Sequence, residues 1–504
     1  MLSGVDLLYH PAAMDPKPPL PPEIWERIPA EAQEYIRALE ARVVVLEAMV
    51  QRLHAALQHV TERLQQDSRT SSRPPSSDPP QATGQRPRRE PSGRRPGGQP
   101  GHAGQARALL PVEAVDCVIP VKPERCSQCQ HPLQGDDPAP QRHQVTEIPP
   151  VKPSVTEYQL HGLVCPGCGA VTRAALPTGV SSGGFGPRVQ AITALCTGAY
   201  HLSKRATQHL LEDLFGLPLS LGTIANLEQA TVQAVAVAVA EARAYIQQQP
   251  AAYLDETGWR EGQQRAWLWT AATTWVTVFV VRLSRSGKVA QELLGERFWG
   301  WLITDRWSGY SWYPTWRRQL CWAHLLRDIE AMIVRGGQSQ VIGEALRAQA
   351  RQMFHWWHRV RDGTLAHASF ASYMRPIRQD VERLLAAGQT CGVPKTEGVC
   401  REILKRRQAL WTFVRHPGVE PTNNTAERAI RPGVLWRKGS FGTHSADGSR
   451  FVEALMTVVA TLKQQHRHVL DYLTAACEAA QRGEPAPSLL PTPDTLRELV
   501  YPAA

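Results

Sequence analysis

Two short cysteine pairs have the spacing for metal chemistry: Cys126-Ser-Gln-Cys129 and Cys165-Pro-Gly-Cys168, separated by residues 130–164. Two thiolates three positions apart on a tight turn can both reach one tetrahedral ion at about 2.3 Å, so the four thiols read as a closed, structural zinc site. Gly167 and Gly169 ease the second turn. Four unrelated buried cysteines, or a redox pair, are the competing readings, but two pairs seldom serve one redox couple. A second set is acidic. Asp255 follows the apolar run 251–254 and Asp305 ends the run 299–304. In open α/β sheets, ligands gather at the carboxyl ends of strands. A turn or helix cap is the ordinary role for one such aspartate standing alone.

The elements that must position these acids can be read from the periodicity. After residue 249, apolar and β-branched runs at 266–274 and 275–283 predict a hairpin, 288–294 a helix, 318–321 a short strand and 323–332 a helix. This order is α/β with a mixed sheet. Upstream, residues 187–228 are helical in pattern, with segments 206–215 and 223–227 broken by 216–220 and a cap near Ser220. A helix pair of an all-α core and a DNA-reading helix-turn-helix both fit, and Lys204 and Arg205 lean toward DNA. Between the cysteine pairs, 141–150 and 155–164 read as an extended hairpin arm.

Nearer the start, Ile36, Val43, Val50, Leu57 and Leu64 share one heptad position, and Leu39, Leu46, Leu53 and Val60 another. Mostly β-branched residues at the first and mostly leucine at the second favour a parallel two-stranded coiled coil over an amphipathic helix packed on its own domain. Its partner would be a second copy of the chain. Residues 67–105 then hold Ser, Pro, Gly and Gln with seven arginines, among them Arg88, Arg89, Arg94 and Arg95, and no large apolar side chain. Such a segment is a disordered basic linker that can also condense on phosphates.

The whole chain has 504 residues, with Lys plus Arg at 56 against Asp plus Glu at 46, a formal charge of +10 and a pI near 9.2. That length predicts about three domains and the charge a polyanionic partner. Residues 1–15 lack a basic segment followed by a long apolar run, so no secretory signal is expected, and Met14 is an alternative start to Met1. The most apolar stretch, 231–246, is short of the ~20 residues that span a bilayer. Ten cysteines without an export signal point to reduced thiols or metal ligands in a cytoplasmic protein, nucleoid-associated when bound to DNA.

Four motifs in order, Leu254-Asp255-Glu256-Thr257-Gly258-Trp259, Thr304-Asp305-Arg306-Trp307-Ser308-Gly309-Tyr310, Cys321-Trp322-Ala323-His324 and Asn423-Asn424-Thr425-Ala426-Glu427-Arg428-Ala429-Ile430-Arg431-Pro432, make the chain resemble the DDE transposases of insertion-sequence family 66. The likeness extends to Arg73-Pro74-Pro75-Ser76-Ser77-Asp78, to Gly97-Gly98-Gln99-Pro100-Gly101-His102, to the paired cysteines and to Arg437-Lys438-Gly439-Ser440-Phe441. It covers nearly all of the chain after residue 31. The resemblance implies a ribonuclease-H-like core in which Asp255, Asp305 and Glu427 hold two divalent ions, Mg²⁺ or Mn²⁺. Phosphoryl transfer by two hard ions on carboxylates agrees with that set. Arg428, Arg431, Arg437 and Lys438 follow Glu427, and contact with the DNA backbone is preferred over a plain solvated face. His324 is a candidate accessory residue, although a lone helical histidine is more often structural. Trp307 or Trp312 could stack on an unpaired base.

The division expected is a Pro-rich segment (1–35), coiled coil (36–66), basic linker (67–110), zinc module (111–180), helical, helix-turn-helix-like DNA-binding region (181–248), catalytic core (249–335 and 416–475) split by a helical insertion (336–415), and a tail (476–504). The expected activity is metal-dependent cleavage and strand transfer at the terminal inverted repeats of a mobile element, by a homo-oligomer that can require small accessory proteins. A nuclease of the same fold without joining activity, and an inactive zinc-containing DNA-binding protein, are the alternatives.

Overall fold

The computed structural model describes residues 21–65 and 107–492. They fall in two units, residues 21–65 in the first and 107–492 in the second. Arg88, Arg89, Arg94 and Arg95 lie outside the described residues. In the first unit, the short helix α1 (Pro22–Trp25) leads to α2 (Ala30–Gln65). The Gln33 side-chain amide fastens the corner by donating to the carbonyls of Trp25 and Ile28 at 2.7 and 3.0 Å. Leu39, Val43, Leu46, Val50, Leu53 and Leu57 recur along α2, and all are exposed.

In the second unit, residues 107–180 contain no buried residue. Their regular structure is a 3-10 turn at Val112–Ala114 and the antiparallel pair β1 (Gly162–Val164) and β2 (Val171–Arg173), which flanks the second cysteine pair. The hairpin arm expected over 141–150 and 155–164 is not formed. Pro149, Pro150 and Pro153 fall where its tip would be, and proline has no N–H to give a ladder.

The rest is built on a five-stranded mixed sheet in the order β5-β4-β3-β6-β7. Strands β3 (Ala251–Glu261), β4 (Gln264–Ala272) and β5 (Thr277–Arg282) form an antiparallel meander, and β6 (Trp301–Thr304) and β7 (Arg318–Leu320) run parallel to β3. The sequence reading ended the first strand before Asp255; the strand instead runs on to Glu261. Only Ala251–Tyr253 pair with β6, while Tyr253–Glu261 pair with β4, so the hairpin partner carries the strand beyond its parallel neighbour. Asp255 therefore sits where parallel pairing stops, not where the strand stops.

Helices α3 (Pro187–Gly198), α4 (Lys204–Phe215) and α5 (Leu221–Gln247) precede the sheet. Ser203 and Ser220 cap α4 and α5, each accepting from a backbone N–H three residues on. The Val/Ala-rich stretch belongs to α5, whose Val235, Ala238, Ala242 and Ile246 are buried in one core with Leu254, Trp269, Val278 and Val280 of the sheet. The same core takes in α6 (Gly287–Leu294), α13 (Ala446–Gln464) and α14 (Val469–Gln481). A second core joins Tyr253, Ile303 and Leu320 to α7 (Trp322–Val334) and to α8 (Gly337–Arg361), α9 (His367–Gly388), α10 (Pro394–Lys405) and α11 (Thr412–Arg415). These last four helices fill the chain between α7 and α12 (Asn424–Ser440). Helix α12 lies close against the sheet because residue 433 is glycine: a Cβ there would come within 2.4 Å of Leu268 Cδ2. Among the described residues no helix is long and apolar enough to cross a membrane.

Candidate active site

Parallel pairing aligns Tyr253 with Ile303 and Thr304 with Leu320. Asp255 stands two residues past the last pair of β3 with β6, Asp305 follows the end of β6 and Cys321 follows the end of β7, so the three leave the same end of the parallel strands. The Cys321 N–H donating to the Thr304 carbonyl at 2.8 Å extends the ladder that far. Alternation along β3 turns Asp255 to the face of the second core and Glu256 to the opposite one. There Glu256 is held by Arg285 at 2.8 Å and by the Tyr310 hydroxyl.

Glu427 arrives in the first turn of α12. That helix start is strapped down by Asn423, which is 1 % exposed. Its side-chain amide donates to the Leu254 carbonyl at 2.7 Å, and its backbone N–H donates to Cys321 Sγ at 3.1 Å. Asn423 occupies the cap position of α12 yet makes no side-chain cap; its amide is spent across the sheet instead. The Trp322 N–H donating to the Pro421 carbonyl at 2.9 Å adds a third tie. Glu427 Oε1 then lies 3.7 Å from Cys321 Sγ and 3.4 Å from His324 Nδ1.

The electrostatics follow from this convergence. Burial raises the Asp255 carboxyl well above the usual carboxylate range, and the charges of Glu256, Asp305 and Glu427 push it further the same way. Asp255 on β3 thus feels the charges of acids brought from the end of β6 and from α12. The carboxylate oxygens of the three do not all lie within 4.8 Å of one another, so a hard divalent cation, for which oxygen donors of this kind are suited, would have to draw them together. Arg318, buried in β7, steadies the middle of the group: it donates to Thr304 Oγ1 at 2.9 Å and to the Asp305 carbonyl at 3.2 Å. Burial lowers its guanidinium to about 10.

The basic residues after Glu427 separate into two kinds. Arg428, Arg431 and Lys438 are exposed and recur at three- and seven-residue steps, which places them on one side of α12. Arg437 is half-buried and donates to the Gly258 carbonyl of β3 at 2.7 Å, so it ties the helix to the sheet. Lys204, one of two cations that leaned toward DNA, is paired with buried Glu228 at 2.7 Å. Of the two candidate stacking residues, Trp307 is packed between Trp269, Tyr310 and Arg285, whereas Trp312 is 37 % exposed and meets Tyr313 edge-on. Sequence reasoning missed Asn423 as a strap and Arg318 as a buried support. For Asn423, its place in a matched motif was the available signal.

The two cysteine pairs share one local geometry. In each, the first cysteine's N–H donates to the carbonyl five residues on, His131 or Ala170, and its carbonyl accepts from the N–H four residues on, Gln130 or Gly169. Both of those fourth positions have positive φ, 61° and 71°. Backbone N–H groups of Cys129 and Gln128 lower the Cys126 thiol, and those of Gly167 and Cys168 lower Cys165. The thiols meet within each pair. The four are not gathered into one group, and among the described residues only Cys321, His324 and Glu427 bring three metal-capable atoms within 4.8 Å of one another.

Residues 182–450, just over half of the chain, match the family described as "Transposase IS66 family". Residues 123–169, which span both cysteine pairs, match the "zinc-finger binding domain of transposase IS66", and 17–108 match a family of unknown function (DUF6444). A protein of Sinorhizobium fredii, y4qI, described as uncharacterized, is 30% identical over 176 residues, which is 33% of this chain and 31% of that relative.

Proposed function

The chain belongs to the IS66 family of transposases, and from that premise we propose that Asp255, Asp305 and Glu427 are the catalytic acids of DNA strand cleavage and strand transfer at the ends of a mobile element. The observation that carries this reading is the convergence of three chain segments: Asp255 just past the β3–β6 pairing, Asp305 at the end of β6, and Glu427 in the first turn of α12, whose start is bonded to the Leu254 carbonyl through Asn423. The antiparallel meander continued by two parallel strands supports the ribonuclease-H-like assignment of the core over 249–335 and 416–475, with 336–415 as its helical insertion. Asp255, Asp305 and Glu427 would hold Mg²⁺ or Mn²⁺, which when bound supply an activated oxygen nucleophile and stabilise the leaving oxygen. Asn423 and Arg318 hold the acids in register so that little reorganisation is needed. The exposed stripe of Arg428, Arg431 and Lys438 runs from Glu427 along α12 and suits a phosphate backbone leading away from the acids.

The remaining assignments rest on the same premise. Cys126, Cys129, Cys165 and Cys168 would bind one structural zinc, which suits a module without buried residues: metal binding then supplies the folding free energy that burial does not. DNA is the partner. The region 181–248 with its α4–α5 turn, and the arm bearing Arg88, Arg89, Arg94 and Arg95, are further contacts, and α2 joins two copies.

The test uses purified full-length protein, labelled element ends and Mg²⁺ or Mn²⁺. Asp255→Asn, Asp305→Asn and Glu427→Gln are each expected to abolish nicking and joining while end binding persists in a mobility-shift assay. Full joining by any one of them overturns the assignment of that acid. Pre-cleaved ends isolate the joining step, and cleavage without joining would favour a nuclease.

A further inference from the structure

We propose that Cys321, His324 and Glu427 form a second metal site, selective for a thiophilic divalent ion such as Zn²⁺, whose occupation withdraws Glu427 from the acids that catalysis uses. The three donor atoms lie within 4.8 Å of one another. The separations from Glu427 Oε1, 3.7 Å to Sγ and 3.4 Å to Nδ1, match the edges of a tetrahedron around one ion. Bonds of about 2.0–2.3 Å to oxygen, nitrogen and sulfur require donors roughly 3.3–3.7 Å apart. His324 Nδ1 is buried, makes no hydrogen bond among the described residues and faces Glu427 Oε1 at 3.4 Å, so one ring nitrogen is turned toward the other two donors.

The three residues are also held from outside the set. Cys321 immediately precedes α7, His324 lies in its first turn and Glu427 lies in the first turn of α12. The Trp322 N–H donating to the Pro421 carbonyl and the Asn423 N–H donating to Cys321 Sγ clamp these two helix starts together. Sulfur, nitrogen and one carboxylate oxygen make a softer donor set than Asp255, Asp305 and Glu427, and that difference selects Zn²⁺ over Mg²⁺. Three protein ligands leave the fourth position open. Binding replaces the thiol proton of Cys321, which leaves to solvent. The site is separate from the four cysteines of residues 123–169, and only the inhibitory consequence rests on Glu427 being a catalytic acid.

Metal content of full-length protein, stripped and reloaded with Zn²⁺, reads the site directly. Two equivalents per chain are expected for the wild type and one for Cys321→Ser or His324→Gln, with folding checked by circular dichroism; Cys126→Ser removes the other equivalent. Co²⁺ gives a second readout: a thiolate-to-metal absorption band should survive in Cys126→Ser and vanish in Cys126→Ser/Cys321→Ser. Unchanged stoichiometry in both Cys321→Ser and His324→Gln, or a wild type whose sole equivalent is lost with Cys126→Ser, overturns the site. Zn²⁺ should inhibit Mg²⁺-driven nicking, with a midpoint shifted at least about tenfold upward in Cys321→Ser relative to its own zinc-free rate. Two bound equivalents with uninhibited nicking would refute the withdrawal of Glu427 while leaving the metal site standing.

Discussion

Asn423 shows how one side chain can align two distant parts of a site. Its amide joins the start of α12 to the residue before Asp255, and its N–H touches the thiol that follows β7. Replacement by alanine leaves the Leu254 carbonyl without that donor, and an unpaired buried polar group costs about 1–3 kcal/mol. Asn423→Ala is therefore expected to lower unfolding free energy by about that amount, measured by denaturant titration. Nicking should fall by at least about tenfold at temperatures where the variant remains folded, because Glu427 loses its alignment with Asp255. Unchanged nicking would show that the helix start is positioned without this bond. The residue was legible in the sequence as part of a motif. Its use across the sheet was not, because the carbonyl it serves lies 169 positions away.

At the scale of elements, the exposed edge of the sheet is closed by a ladder of side chains. Among the described residues strand β5 has no strand neighbour beyond it, and α13 supplies the missing acceptors at four-residue steps. Glu453 accepts from the Val281 N–H at 2.7 Å, Thr457 from Phe279 at 3.1 Å and Thr461 from Thr277 at 3.1 Å. The Thr461 hydroxyl also donates to the Thr277 carbonyl at 3.0 Å, so it replaces both bonds of a missing strand. An edge finished in this way cannot template pairing with another chain. Thr461→Val keeps the side-chain shape and removes both bonds, with an expected loss of about 1–3 kcal/mol in denaturant unfolding. A neutral result would mean that these backbone groups find water. Helix α13 was not predicted to close an edge, since a threonine at helical spacing has no sequence mark that separates this role from ordinary packing.

For the whole molecule, the positive charge of +10 is divided in use. Arg437 and Lys204 hold structure together, while Arg428, Arg431 and Lys438 remain exposed along α12. The first unit presents apolar residues along α2 that its own fold leaves exposed, from Leu39 to Leu57. A fragment of residues 30–67 is accordingly expected to sediment as a dimer, and a monomer at micromolar concentration would contradict the coiled coil. Much of this organisation was readable along the chain: the cysteine turns, the capped helices, the heptad, the mixed α/β order and the family likeness. Each depends on residues a few positions apart, whose types constrain local backbone directly. What only the tertiary structure decided was how far β3 runs, where Asn423 and Arg437 spend their hydrogen bonds, and that Cys321, His324 and Glu427 meet. Those outcomes depend on the register of strands and the docking of helices more than a hundred residues apart, and no local pattern encodes which remote carbonyl a buried amide will find.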